Sequence, residues 1–410
     1  MNLAEELKAR GLIEHTSAEL ADILGKPRTV YLGVDPTADS MQAGNLVLVL
    51  LIKRLADAGH KVVLLVGGGT GMIGDPKEKG ERPLSDVRTV AKNKKALKAQ
   101  MQQILGRRIT VVDNADWLLK VKLVDFLRDI GKHFTINELV KRDIIKRRLE
   151  NPDDSISYTE FAYSLLQGYD YLVLNQKYGV DLQIGGSDQW VNILSGVELI
   201  RRKASKEAFA LTCPLVTDAS GKKFGKSEGN AVWLSAEKTS PYAFYQFWLN
   251  QPDEVVDKYL KFYTFMSVAE INALVEMHQR NPGKREAQKM LAKQVTEIVH
   301  GADAAMRSIA VSEALFGERP LSDLSREERA IIAKDAPHAY VDAGMSIVDA
   351  LVAAGLASSK GEARRLIEGK GVSVNDQKVE SADAVLEASQ FSGGLALLKR
   401  GRQVAVLVAR

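Results

Sequence analysis

The chain has 410 residues, enough for two or three domains, and its 45% hydrophobic and 26% charged content is that of an ordinary globular protein. Its 56 Lys and Arg against 52 Asp and Glu leave a net charge of only +4, so any polyanion must be met by local patches rather than by bulk charge. One cysteine, Cys213, excludes an internal disulfide and any multi-cysteine metal site, and fits a reducing compartment.

Residues 1–20 mix Glu5, Glu6, Lys8 and Glu14 with apolar residues and offer no uninterrupted apolar core, so they do not read as a signal peptide. From Thr29 the pattern alternates apolar strands with helical stretches: strands at Thr29–Val34, Lys61–Val66, Ile109–Val112 and Asp181–Ile184, with a helix at Leu46–Ala58 after the first. This order predicts an α/β domain built on a parallel sheet with crossover helices. The apolar runs Leu46–Ile52 and Val62–Val66 are too short to span a bilayer, and the chain is expected to be cytoplasmic, with no membrane partner. After Ser240-Pro241 amphipathic helices take over to about Phe316, turning at Asn281-Pro282-Gly283. A charged stretch with Pro320 and Pro337 follows. From Met345 a compact pattern sets helices at Ile347–Ala354 and Lys360–Glu368 before strands at Val372–Val374 and Leu395–Leu398.

Several segments carry chemistry. Tyr31-Leu-Gly-Val-Asp-Pro-Thr37 ends a strand and Gln42-Ala-Gly-Asn45 opens the next helix, the place where α/β sheets meet phosphates through free backbone N–H groups and the helix dipole. The run Gly67-Gly-Gly-Thr-Gly-Met-Ile-Gly-Asp-Pro76 holds five glycines that would let a ligand approach the backbone, yet it has neither a Walker nor a dinucleotide-binding spacing. Lys223-Phe-Gly-Lys-Ser227 puts two point charges on a bendable loop able to close over a polyphosphate. The six histidines have no ligand spacing, so no protein-bound metal is predicted.

These motifs, together with Tyr163-Ser-Leu-Leu-Gln-Gly-Tyr-Asp170 and Gln183-Ile-Gly-Gly-Ser-Asp-Gln-Trp190, resemble the bacterial tyrosyl-tRNA synthetases in order and approximate spacing over nearly the whole chain. Ser359-Lys-Gly-Glu-Ala-Arg-Arg-Leu-Ile-Glu-Gly-Lys-Gly-Val-Ser-Val-Asn375 is similar to the S4-type RNA-binding module of that family. The resemblance implies a Rossmann-like, doubly wound class I catalytic domain over 1–235, a helical anticodon-side domain over 236–318, a connector over 319–343 and an α+β S4-like domain over 344–410. It also implies a homodimer with contacts near residues 120–165.

On the same resemblance, Tyr31 and Asp170 would bind the phenolic hydroxyl of L-tyrosine, which needs one donor and one acceptor on the same oxygen. Rejection of phenylalanine would follow because both partners would be left unpaired; tyrosyl-tRNA synthetase is itself the standard illustration of that effect. Asp75, Tyr163 and Gln167 would hold the α-ammonium, with Gln189 beside the carboxylate. Gly33, Asp35, Gly44, Gly186, Asp188 and Lys226 would surround ATP. Lys223, Lys226, Ser227, Thr37, Lys79 and Arg82 would clamp its phosphates with Mg2+ as counter-ion. Where the class usually carries His-Ile-Gly-His, this chain has Gln42-Ala-Gly-Asn45, and the amides of Gln42 and Asn45 are expected to donate hydrogen bonds in place of the imidazoles. The implied activity is tyrosine–tRNA ligation, with a catalytically altered RNA-binding protein and a tryptophan-specific relative as the alternatives. For tRNA(Tyr), Arg201, Arg202, Arg364, Arg365 and Lys370 are the expected contacts, whereas Lys141, Arg142, Lys146, Arg147 and Arg148 read as a solvated face.

Overall fold

A computed structural model describes residues 2–76, 86–106, 109–140, 143–221, 224, 226–227, 230–401 and 403–410, with the backbone alone at 143, 144, 226, 227 and 230. The chain forms two compact units, one of residues 1–238 and 251–287, the other of 239–250 and 288–410. The helical stretch after Ser240 is thus divided between them. Among the described residues, no helix is long and apolar enough to cross a membrane.

The first unit is built on a six-stranded sheet of β1 (His15–Thr16), β2 (Thr29–Val34), β3 (Lys61–Val66), β4 (Thr110–Asp113), β5 (Leu182–Gly186) and β6 (Phe209–Cys213), in the order β1-β6-β5-β2-β3-β4. All neighbours are parallel except β1, which pairs antiparallel with β6 at one edge. The chain runs outward from β2 through β3 to β4, then returns to place β5 on the other side of β2. Between β2 and β5 the winding reverses, and the crevice at their carboxyl ends is the place where doubly wound sheets bind ligands. The class I fold expected from the sequence is present.

Central strands covered on both faces must be apolar throughout, and β3 reads Val-Val-Leu-Leu-Val with every residue after Lys61 buried. Val63 and Leu65 pack with Tyr31, Tyr171 and Leu199 in one cluster, under the helices Tyr158–Tyr178 and Trp190–Ala204. The alternate residues Leu32 and Leu64 are equally buried on the opposite face, which the helix Leu46–Asp57 covers.

The helix Tyr158–Tyr178 carries Tyr163, Gln167 and Asp170, so its placement decides the site. Ser157 caps its start and Gly179, in the left-handed region, ends it. Its first turn is held by an ion cluster in which Arg148 meets Asp154 at 3.2 Å and Glu160 at 3.1 Å; Arg148 and Glu160 are only 2% and 1% exposed. Arg148 is therefore not on the solvated face expected of it: two carboxylates and the Ser155 carbonyl supply the partners that let a guanidinium be buried. Farther along, the helix crosses Trp190–Ala204 where Gly168 faces Gly196. A Cβ on Gly196 would lie 2.8 Å from Tyr171 Cδ1, closer than packed atoms tolerate.

The second unit contains the helix Pro241–Leu249, the helix Glu286–His300 from residue 288 on, and the helices Ala302–Phe316 and Arg326–Asp335. Its five-stranded sheet of β9 (His338–Val341), β10 (Val372–Val374), β11 (Gln377–Lys378), β12 (Leu395–Arg400) and β13 (Gln403–Ala409) runs β11-β10-β12-β13-β9, all antiparallel except β9 with β13. Helices Ile347–Ala353 and Lys360–Glu368 pack on it, bounded almost as the sequence predicts. The stretch expected as a connector supplies the helix Arg326–Asp335 and the edge strand β9.

Replacing Gly196 by Ala should cost about 1–3 kcal/mol of stability, because Tyr171 is itself pinned and the helices must part. Thermal or urea unfolding of the G196A variant measures it, and a change within error would mean that the crossing has slack.

Candidate active site

A cavity of about 490 Å3 opens at the β2–β5 crevice. It gathers Tyr31 and Gly33 from β2, Asp35 and Thr37 just after it, Gln42, Gly44 and Asn45 at the mouth of the helix Leu46–Asp57, and Asp75 beyond β3. Tyr163, Gln167 and Asp170 come from the long helix, and Gly186, Asp188 and Gln189 from the end of β5. Residues from position 31 to position 189 thus line one cavity.

Tyr31 and Asp170 close the deep end, 1% and 2% exposed. Asp170 accepts hydrogen bonds from Trp117 Nε1 at 2.7 Å and Asn114 Nδ2 at 2.9 Å. Burial nevertheless lifts its carboxyl to about 8, against the pull of those two donors. Burial, and then the charge of Asp170, also holds the Tyr31 hydroxyl well above its ordinary pKa. The ring of Tyr31 stands edge-on to Tyr171 at 5.2 Å.

Asn114 reaches further. The same Nδ2 donates to Thr70 Oγ1 at 2.9 Å, Thr70 Oγ1 donates to Asp35 Oδ1 at 2.7 Å, and Tyr163 Oη donates to Asp35 Oδ2 at 2.7 Å. A continuous chain of hydrogen bonds therefore joins the Asp170 end to Asp35 and Tyr163. Gly67 exists for this chain: a Cβ there would sit 2.1 Å from Asp35 Oδ1 and 2.3 Å from Thr70 Oγ1. Side chains of the protein, not a ligand, occupy the space that this glycine leaves.

A second group surrounds Asp75, which accepts from Gln189 Nε2 at 2.9 Å and Asn192 Nδ2 at 3.4 Å. Asn192 also donates to Gln189 Oε1 at 3.0 Å and is itself held by Ser164 Oγ at 3.0 Å. Across the cavity, Cys213 ends β6 in the wall; burial, with a smaller push from Asp188, raises its thiol to about 12.

At the mouth, the loop Met41–Asn45 is tied to residues 232–234. Ala43 N donates to Val232 O at 2.8 Å, Leu234 N donates to Met41 O at 2.9 Å, and Gln42 bridges Trp233 as an antiparallel pair. Gly44 sits against Phe224, whose carbonyl oxygen would be 2.9 Å from a Cβ at 44. Among the described residues, the side chains of Gln42 and Asn45 make no hydrogen bond, so their amides remain available at the cavity mouth.

Lys79, Arg82 and Lys223 lie outside the described residues. Lys226 and Ser227 are placed by backbone only, as β7 (Lys226–Ser227) paired antiparallel with β8 (Asn230–Ala231). Arg201 and Arg202 end the helix Trp190–Ala204 and share one carboxylate, Glu198, which they hold down at about 2; Arg202 also donates to His133 O at 2.8 Å. In the second unit, Arg364 and Arg365 lie exposed on the helix Lys360–Glu368, and Lys370 follows it with a φ of 54°. Among the described residues, no group of three or more His, Cys, Asp or Glu could hold a metal ion.

Sequence reasoning missed Thr70, which lines the cavity and holds Asp35, and Asn114, Trp117 and Asn192, which stand behind the lining and hold Asp170 and Asp75. The available signal was a polar residue at or just past a strand end, as at Asn114 after β4.

Residues 25–317 match the family of tRNA synthetases class I (W and Y), and residues 328–408 match a tyrosine–tRNA ligase SYY-like C-terminal domain. The chain belongs to the class I tRNA synthetases of that family. Among its relatives are the tyrosine–tRNA ligase of Chromobacterium violaceum, 46% identical over 99% of this chain and 98% of the relative, and that of Lactococcus lactis subsp. cremoris, 44% identical over 98% of both. The crystal structure of a C-terminally truncated mitochondrial tyrosyl-tRNA synthetase from Aspergillus nidulans superposes with a TM-score of 0.67, at 31% identity over 74% of this chain and 91% of that one. The reaction of this chain is accordingly tyrosine–tRNA ligation, with tyrosine, ATP and tRNA as substrates.

If a tyrosine phenol donates into Asp170, it favours the carboxylate over the acid. With burial lifting the Asp170 carboxyl to about 8, such binding near pH 7 should release a proton, and affinity should rise with pH up to about 8 and then level. Calorimetry in buffers of different ionisation enthalpy counts that proton; its absence would mean that Asp170 is already ionised or is not the acceptor.

Proposed function

We propose that this cavity carries out the first half of the reaction in a fixed orientation. Tyr31 and Asp170 take the phenolic hydroxyl; Asp75, Tyr163 and Gln167 take the ammonium; Gln189 lies beside the carboxylate. That carboxylate attacks the α-phosphorus of ATP in line, giving tyrosyl-adenylate and pyrophosphate, and a ribose hydroxyl of the terminal tRNA adenosine then attacks the adenylate. No side-chain nucleophile is required, so catalysis is positioning and neutralisation of developing charge. The observation carrying this reading is the convergence of donor, acceptor and anionic groups, with Asp35, Asp75, Tyr163, Asp170 and Gln189 held by partners, on one crevice at the sheet's reversal point.

Gly33, Asp35, Gly44, Gly186 and Asp188 are assigned to ATP, with Thr37, Gln42, Asn45, Lys79, Arg82, Lys223, Lys226 and Ser227 toward its phosphates. Magnesium is expected to arrive with the phosphates, because the described carboxylates of this site are committed to protein donors. Asp35 holds Thr70 and Tyr163, and Asp75 holds Gln189 and Asn192. Gln42 and Asn45 act as neutral donors to the reacting phosphate, which suits a step that moves no proton at phosphorus. Changing either to Ala should slow adenylation roughly ten- to a thousandfold, the range for one preorganised donor, with tyrosine affinity nearly unchanged. Pre-steady-state adenylate formation measures both effects, and full-rate adenylation by the two Ala variants would withdraw the role.

The span 344–410 is assigned to the tRNA, through Arg364, Arg365 and Lys370, with Arg201 and Arg202 toward its acceptor end. A single cysteine suits a cytoplasmic enzyme. We also infer a homodimer through residues 120–165. Leu123, Val124, Ile136, Leu149 and Tyr158 are 71%, 73%, 67%, 57% and 71% exposed, an apolar concentration that water does not favour and a second copy would cover. A charge at Val124 or Tyr158 should shift the mass seen by analytical ultracentrifugation from dimer to monomer; unchanged mass would place the interface elsewhere.

A further inference from the structure

Directly across the β2–β5 ladder from Tyr31 lies Gln183, its register partner. Partners in a parallel pair project to the same face, and both residues line the cavity. Gln183 is 3% exposed and its Oε1 has no hydrogen-bond partner; Tyr31 Oη makes no hydrogen bond of normal geometry either. Two unsatisfied polar side chains, both more than nine-tenths buried, thus stand side by side where the substrate phenol is received. Asp170, by contrast, is already served by Asn114 and Trp117. Leaving such groups unsatisfied is costly unless a ligand supplies what is missing.

We propose that the carboxamide of Gln183 is a positioning residue for tyrosine selectivity: it fixes the direction of the Tyr31 O–H bond, so that Tyr31 donates to the substrate's phenol oxygen. The inference rests on the assignment of Tyr31 and Asp170 to that phenol. The argument is a count of protons. A phenol has one proton to give and lone pairs to receive. With Asp170 as acceptor, the substrate's proton is spent there, and Tyr31 contributes only if its own proton points into the pocket. A phenolic O–H lies near the ring plane and has two orientations, one into the pocket and one toward Gln183. An amide N–H presented by Gln183 occupies a lone pair of Tyr31 Oη and turns the hydroxyl proton toward the substrate. An amide oxygen presented there would capture that proton, leaving Tyr31 and Asp170 as two acceptors competing for one hydrogen. The pull of Gln183 on the Tyr31 hydroxyl has the first sense, downward against the larger effect of burial, although the two side chains, register partners on one face, do not meet in a full hydrogen bond. Its oxygen is then the atom left over, as observed.

The test is a double-mutant cycle on Gln183→Leu and Tyr31→Phe, with Gln183→Met as a second non-donating variant of closer shape. Pyrophosphate exchange gives kcat/KM for tyrosine and for phenylalanine, and the KM for ATP reports an intact site. Q183L and Q183M should lower the preference for tyrosine about three- to tenfold with the ATP KM unchanged, the size of one oriented neutral hydrogen bond. On a Y31F background the same changes should have no further effect, because no hydroxyl remains to orient. Gln183→Glu, an acceptor at the same position, should lose at least as much preference as Y31F alone. If tyrosine and phenylalanine lose kcat/KM equally, or if Q183L adds its full effect to Y31F, Gln183 is packing or touches substrate directly and the proposal is overturned while the pocket assignment stands. If Y31F itself leaves the preference unchanged, the pocket assignment falls, and the role of Gln183 falls with it.

Discussion

A carboxyl group buried to 2% exposure is the constraint around which the first unit is arranged. Asp170 sits on a helix packed over the sheet, where an unpartnered charge would be prohibitive, so the fold must bring donors to it. They come from the far side of the parallel sheet: Asn114 and Trp117 follow β4, and Asn114 continues through Thr70 to Asp35 and Tyr163. One consequence is that the two ends of this network are not independent. A change at Asp170 is felt at Asp35 through three hydrogen bonds, and the helix that carries Asp170 also carries Tyr163. The buried Arg148 cluster at the start of that helix and the Gly168–Gly196 crossing along it serve the same requirement, because a network of short bonds tolerates little drift in its support.

The parallel sheet and its strands β2 to β5 are legible in the sequence because a central parallel strand has no choice but to be apolar. Thr29–Val34 and Lys61–Val66 appear with the expected bounds, and the shift at β4 and β5 is one or two residues. Many of the groups that line the cavity were also legible, since they lie in short motifs, most of them at a strand end or a helix start. What was not legible is the support behind them. Asn114 and Trp117 are 56 and 53 residues from Asp170, and nothing local distinguishes them from other polar or aromatic residues of an α/β chain. Arg148 misleads for a related reason: in a run of basic residues it reads as solvated, and only the approach of Glu160 and Asp154 makes burial possible. Local pattern likewise reveals that 240–316 is helical but not which compact unit each helix joins.

The loop at Gln42–Asn45 shows how a motif can depart from its family and keep its place. Its backbone is held by bonds from Ala43 to Val232 and from Leu234 to Met41, and its glycine by the contact with Phe224, none of which involves the side chains at 42 and 45. Scaffold and chemistry are separated there: the frame is written in main-chain atoms, so exchanging imidazoles for amides alters what is presented without altering where.

The single thiol of the chain is a last case in which burial decides reactivity. Cys213 lies in the wall of the cavity, yet with its proton held to about 12 it offers almost no thiolate at physiological pH. Thiol-directed reagents find little thiolate at Cys213 in the folded protein, so a cysteine-free background is not needed for site-directed labelling. A cysteine introduced on any exposed loop would be the one reactive thiol, ready to carry a fluorophore or spin label at a chosen position.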